Sequence, residues 1–91
     1  VEYYDGDNRI YVTNDVDIEV GEITYVPSGE HLLIIEHTGV DPAYRGQGIA
    51  QELVRLVVEI AIMQGKKVIP LCPFANAEFK KHPEYQKIEA K

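Results

Sequence analysis

Apolar residues recur at two periods along the chain, and the switch between them divides it into strands and helices. Arg9-Ile-Tyr-Val-Thr13 alternates and is rich in strand formers, which predicts a strand. Asn14-Asp15 and the acidic residues after it read as a loop. Ile18 to Val26 predicts a second strand, whose apolar phase slips at Gly21, the mark of a bulge or a late strand start. Pro27-Ser-Gly29 predicts a turn, so a hairpin joins this strand to the next. His31 to Val40 carries Leu32, Leu33, Ile34 and Ile35 in succession, which predicts a central strand covered on both faces.

After Asp41-Pro42 the period becomes helical. From Gly46 to Gln64, Ile49, Leu53, Val57 and Ile60 form one stripe, flanked by Ala50, Val54 and Ala61, with Gln51, Glu52, Arg55 and Glu59 opposite. Val58 and Ile62 fall on that polar side, as ordinary exposed apolar residues or as a contact surface for a partner or second copy. Gly65 closes the helix. Val68 to Cys72 predicts a strand that returns through a helical crossover, hence parallel to the strand before it. Pro70 suits an edge or a point where strands diverge. A last helix is expected from Pro73 to Lys81, ending at His82-Pro83. The fold class is thus α/β (α+β): antiparallel strands, then β-α-β-α on a mixed sheet, in one domain spanning residues 1–91.

The net charge is −6 and the isoelectric point about 4.9. An acidic surface is poorly suited to tracking nucleic acid, where Lys and Arg must replace counterions on phosphates. It favours cationic partners such as amines. The lone cysteine, Cys72, allows no internal disulfide, which suits a reducing compartment. The start, Val1-Glu-Tyr-Tyr-Asp5, lacks the features of a signal peptide, and Leu53 to Met63 is too short and charged to span a bilayer. A cytoplasmic location without membrane attachment is expected.

The stretch of greatest chemical interest is Arg45-Gly-Gln-Gly-Ile-Ala50, between a buried strand and a long helix. The first turn of a helix carries unpaired N–H groups and about half a positive charge. Gly46 and Gly48 let anionic oxygens approach that backbone, so the segment suits a diphosphate; the two glycines can equally just shape a turn. It is neither a P-loop, which needs Lys-Ser or Lys-Thr, nor a dinucleotide fingerprint, whose third small residue is here Gln51.

Arg45-x-x-Gly48-x-Ala50 resembles the [Q/R]-x-x-G-x-[G/A] signature of the GNAT acetyltransferase superfamily. With Ile35-Glu-His-Thr-Gly-Val40 before it and Ile69-Pro-Leu-Cys-Pro-Phe-Ala75 after the helix, the chain looks like the short YjdJ-type branch. The resemblance covers nearly the whole chain. It implies that acetyl-CoA is the cofactor, with no metal. It implies that the amides of Arg45, Gly46, Gln47, Gly48, Ile49 and Ala50 bind the diphosphate. The pantetheine would then lie beside Val40, between two splayed parallel strands.

The family's N-x-x-A-x-x-x-Y pattern aligns here with Cys72-Pro-Phe-Ala75-Asn-Ala-Glu-Phe79, so Phe79 stands where a general-acid tyrosine is usual. Cys72, at a strand end before a helix, could attack a thioester and carry the acetyl group, or be a small buried apolar residue. His37, expected on the same face as Leu33 and Ile35, is a candidate base or a core histidine satisfied by backbone. Glu36 is the competing base. Tyr85 could stand in for the missing tyrosine or pack over the sheet. Lys66, Lys67, Lys80 and Lys81 could meet the cofactor's remaining phosphate or form charged surface.

Two functions follow from the resemblance. One is a minimal N-acetyltransferase acting on an unidentified amine, such as one on a peptide or protein. The other is a non-catalytic acetyl-CoA or CoA-binding module. A monomer or weak homodimer is expected.

Overall fold

The computed structural model describes residues 1–90. Its strands are β1 (Glu2–Gly6), β2 (Arg9–Thr13), β3 (Glu19–Ser28), β4 (Leu32–Val40) and β5 (Lys67–Pro70); its helices are α1 (Ile49–Gln64), α2 (Pro73–Lys81) and α3 (Pro83–Gln86). The strands lie side by side in chain order. The first four are antiparallel, and β5 joins β4 in parallel after the α1 crossover.

One face of the sheet carries the core. Ile10, Val12, Ile23, Leu33, Ile35 and Val68 pack there against Leu53, Val54 and Val57 of α1 and Phe79 of α2. Gly21 leaves room for the side chain of Val12 on the neighbouring strand: a methyl group at this position would meet Val12 Cγ1 at 2.8 Å and Gly39 O at 3.3 Å. Two bulges bend the sheet near this end. Val12 pairs with Gly21 but Thr13 with Glu19, so Val20 is the extra residue in β3, beside the predicted slip. Tyr25 pairs with Ile35 but Thr24 with His37, so Glu36 is the extra residue in β4.

Several sequence expectations change here. β1 was hidden in an acidic N-terminal segment; it is an exposed edge strand whose side chains need not be apolar. β4 is not covered on both faces: Leu33 and Ile35 are buried, whereas Leu32 and Ile34 are half-buried on the face without a helix. Val58 is buried, on a helix against which α2 also packs. Ile62, one turn further, stays exposed.

α2 ends at His82-Pro83 as expected, but it is not the last helix, since α3 follows at once. Gln86 Nε2 donates to the carbonyls of Phe79 and Lys80, capping α2, and α3 turns the backbone towards β5. Val68 N donates to Ile88 O (2.7 Å) and Ala90 N to Val68 O (2.8 Å), so the last residues lie along the outer edge of β5 like a short strap. No helix among the described residues is long and apolar enough to cross a membrane.

Candidate cofactor site at the start of α1

β4 and β5 stay paired only from Leu32–Lys67 to Ile35–Pro70. The amides of Leu71 and Cys72 both donate to Ile35 O, at 3.1 and 3.2 Å, and the chain then turns into α2. β4 runs on to Val40. A wedge therefore opens between the strands, and from Glu36 onwards β4 has no strand partner on that side. Pro70, without an N–H, ends the pairing where the sequence suggested divergence.

Asp41 follows the wedge and starts a short 3-10 turn, Pro42–Tyr44, its carboxylate accepting from Ala43 N at 2.9 Å. Gly46 and Gly48 then adopt φ values of +82° and +81°, where residues with a Cβ are strained. Gly48 is the N-cap of α1 and supplies no side-chain cap. The first helical bond is Glu52 N to Gly48 O. From Gly46 to Gln51, the backbone amides have no hydrogen-bond partner among the described residues. A methyl group placed on Gly46 or Gly48 would meet nothing within 4 Å, so the amides are approachable as well as unpaired.

These groups line a cavity of about 290 Å³. Val40, Arg45, Gly46, Gly48, Ile49 and Ala50, all anticipated from the sequence, border it. Arg45 folds back, its Nε 3.4 Å from Val40 O. Arg55, a turn and a half along α1, is committed to Glu52 at 2.7 and 2.8 Å. Gln47 lies elsewhere: its side of the loop borders a second depression of about 360 Å³ that also touches Asn14 and Tyr44. Five cavity residues escaped the sequence reading: Thr38, Gly39, Tyr44, Gln51 and Phe74. Tyr44 directly precedes Arg45, and Phe74 begins a helix facing the wedge. Those positions were legible, but their direction depended on the bulge and the splay.

The bulge at Glu36 reverses the side-chain phase of β4. Thr38, opposite buried Ile23, now faces the core side, and His37, opposite Thr24, faces the sheet surface without a helix. His37 is therefore not on the face of Leu33 and Ile35. It is exposed and lies over Gly39, where a Cβ would come within 2.9 Å of His37 Nε2. Glu36 is exposed too. The two candidate bases share the wedge with the cavity, but they lie away from its lining.

Cys72 is buried at the inner end of the wedge, 6% exposed, its thiol 3.6 Å from Thr38 Oγ1. Burial pushes the thiol up, but the Ala75 amide, the Thr38 hydroxyl and the Phe74 amide outweigh it, leaving Cys72 below the ordinary cysteine value. These amides favour negative charge on sulfur without forming a side-chain cap of good geometry. Phe79 is fully buried, its ring centroid 5.4 Å from that of Tyr85. Tyr85 is itself buried, which together with the charges on Glu84 and Glu78 holds its hydroxyl above the ordinary tyrosine value. Both aromatic rings belong to the core. Lys81 reaches Glu78 at 3.4 Å, and Lys67 Nζ donates to Lys87 O at 3.0 Å.

Comparison with known proteins matches this architecture. The family model for GCN5-related N-acetyl-transferases covers residues 9–88. The protein NATD1 of Gallus gallus is 28% identical over 67 residues, 74% of this chain and 61% of its own length. The chain thus spans less than two thirds of that relative. The solution structure of a GCN5-like protein from Staphylococcus aureus superimposes with a TM-score of 0.80 at 34% identity, covering 98% of this chain and 87% of its own. The Escherichia coli protein YhbS, crystallised in complex with CoA, shares the fold at a TM-score of 0.60 and 22% identity, over 67% of this chain and 38% of its own.

Proposed function

The chain belongs to the GCN5-related N-acetyltransferase family, and from that premise we propose that it binds acetyl-CoA and transfers the acetyl group to an amine. One observation carries the reading: the unpaired amides of Gly46, Gly48, Ile49, Ala50 and Gln51 lie around a cavity beside an unpaired strand edge. Such amides suit a diphosphate. The free backbone of β4 near Val40 suits an extended amide-bearing arm. The family relationship and the CoA carried by YhbS support the same ligand.

When bound, acetyl-CoA supplies an activated thioester. The protein's own residues position the reactants and accept the amine's proton, and the leaving thiolate would take its proton from solvent. Gly46 to Ala50 hold the phosphates, with Arg45 at the rim. The acceptor approaches from the open sheet face, where exposed His37 or Glu36 takes the proton released by the attacking amine. The absence of a helix on this face leaves a shallow approach that suits an amine on a peptide or protein. Cys72 lies behind Thr38 with its thiolate favoured, which suits contact with the acetyl end.

A second reading, a module that binds acetyl-CoA without turnover, draws on one feature: Phe79 has no hydroxyl and is enclosed in the core. Calorimetric titration with acetyl-CoA tests what the two readings share, and no heat of binding refutes both. Acetyl transfer to a panel of peptides and polyamines separates them. The enzymatic reading expects turnover that falls at least tenfold in His37→Ala or Glu36→Ala, and comparison with Cys72→Ser shows whether the sulfur takes part.

A further inference from the structure

Asn14 lies in the loop between β2 and β3, remote in sequence from the glycines, yet its side chain is tied to the segment that carries them. Its Nδ2 donates to the Tyr44 hydroxyl at 3.0 Å. Its Oδ1 accepts from the amides of Val16 and Ile18, both at 3.0 Å. Its own backbone closes the same turn, Asn14 N to Ile18 O at 2.9 Å and Asp17 N to Asn14 O at 3.1 Å. One side chain thus gathers a turn of β-hairpin loop and fastens it to Tyr44.

Tyr44 is the last residue before the anion-binding segment. Its ring packs partly against the core and forms a shared wall between the cavity and the second depression, which Asn14 borders from the other side. Beyond it, Gly46 and Gly48 offer no side chain to anchor the loop, and their amides have no partner among the described residues. The loop's course is therefore set by α1 after it and, before it, by Tyr44 and by Arg45, whose Nε lies 3.4 Å from Val40 O.

We propose that Asn14 is a positioning residue for cofactor binding: through the Tyr44 hydroxyl it fixes the loop whose amides receive the diphosphate. The inference rests on the acetyl-CoA reading above and extends it to a residue that touches no ligand. Loss of one such hydrogen bond corresponds to roughly a five- to tenfold change in affinity.

The experiment measures CoA and pantetheine binding by calorimetry for the intact protein, Asn14→Ala, Tyr44→Phe and the double variant. Pantetheine has the thiol arm but no diphosphate. CoA should bind each single variant about five- to tenfold more weakly, the double variant no more weakly than either single one, and pantetheine should be unaffected. Tyr44→Phe keeps the ring and leaves the turn's own hydrogen bonds in place, so it stands if Asn14→Ala misfolds. Unchanged CoA affinity in a folded Tyr44→Phe overturns the proposal while leaving the acetyl-CoA reading intact. Equal losses for CoA and pantetheine, or additive losses in the double variant, also overturn it. Failure of the unaltered protein to bind CoA overturns the reading it rests on.

Discussion

Thr38 and Cys72 meet where β4 and β5 part, and the chemistry of the pair can be read by alkylation. The surrounding donors hold Cys72 below the ordinary thiol value, so iodoacetamide modification should titrate at lower pH than that of a free cysteine. Thr38→Val removes a donor to the thiolate and should move the profile upwards. The same shift fixes a sign for stability. The folded thiol ionises before the unfolded one, so stability rises as pH climbs from the folded value to the unfolded value, and stays at that level above it. Urea titrations at neutral and alkaline pH should show this rise in the natural protein and lose it in Cys72→Ala. Phe79 makes the opposite point about side-chain chemistry. Phe79→Tyr introduces the hydroxyl that the sequence resemblance leads one to expect here, but that hydroxyl enters a fully buried site. An unpartnered hydroxyl there should destabilise by about 1–3 kcal/mol, measured by thermal unfolding, without raising turnover.

Among the elements, the loop before α1 and the cap after it provide an internal comparison. Gly48 and Gly65 both adopt a left-handed conformation, at φ +81° and +67°, and a methyl group on either would meet nothing within 4 Å. Gly48→Ala and Gly65→Ala should therefore each lose about 1–2 kcal/mol of stability through backbone strain alone. Only Gly48→Ala should also weaken CoA binding, because its methyl group intrudes where anionic oxygens approach. Equal affinities in the two variants would show that the start of α1 is not the anion site. The same elements show how much was legible beforehand. Glycine spacing, the apolar stripe of α1 and the order of strands are local signals, and they placed Arg45 to Ala50 at a helix start. The position of His37 was not local. Alternation along β4 put it with Leu33 and Ile35, but one extra residue at Glu36, visible only through the pairing with β3, turned it to the other face. Val58 was misjudged for a related reason: helical period gives a flank, and whether that flank is covered depends on the elements that pack against α1. β1 escaped because an edge strand can be acidic and exposed, which leaves no apolar signature.

For the molecule as a whole, a chain of 91 residues has little core to spare. A domain of this size buries roughly 60–70% of the surface its unfolded chain exposes, so its stability margin is narrow. A ligand held only by the folded form then has a large thermal effect. At about a hundred times its dissociation constant, a ligand adds about 2.7 kcal/mol. For a domain of this length that corresponds to roughly 10–20 °C in Tm. Differential scanning calorimetry with CoA should register that increase, and an unmoved transition at saturating CoA would contradict the proposed site. The strap from Ile88 to Ala90 bears on the same narrow margin. It occupies donors and acceptors of β5 that would otherwise face outwards as a template for any passing extended chain. Ile88 to Ala90 thus shield that edge at Val68, and displacing them would leave its amide and carbonyl open to pairing with another extended chain.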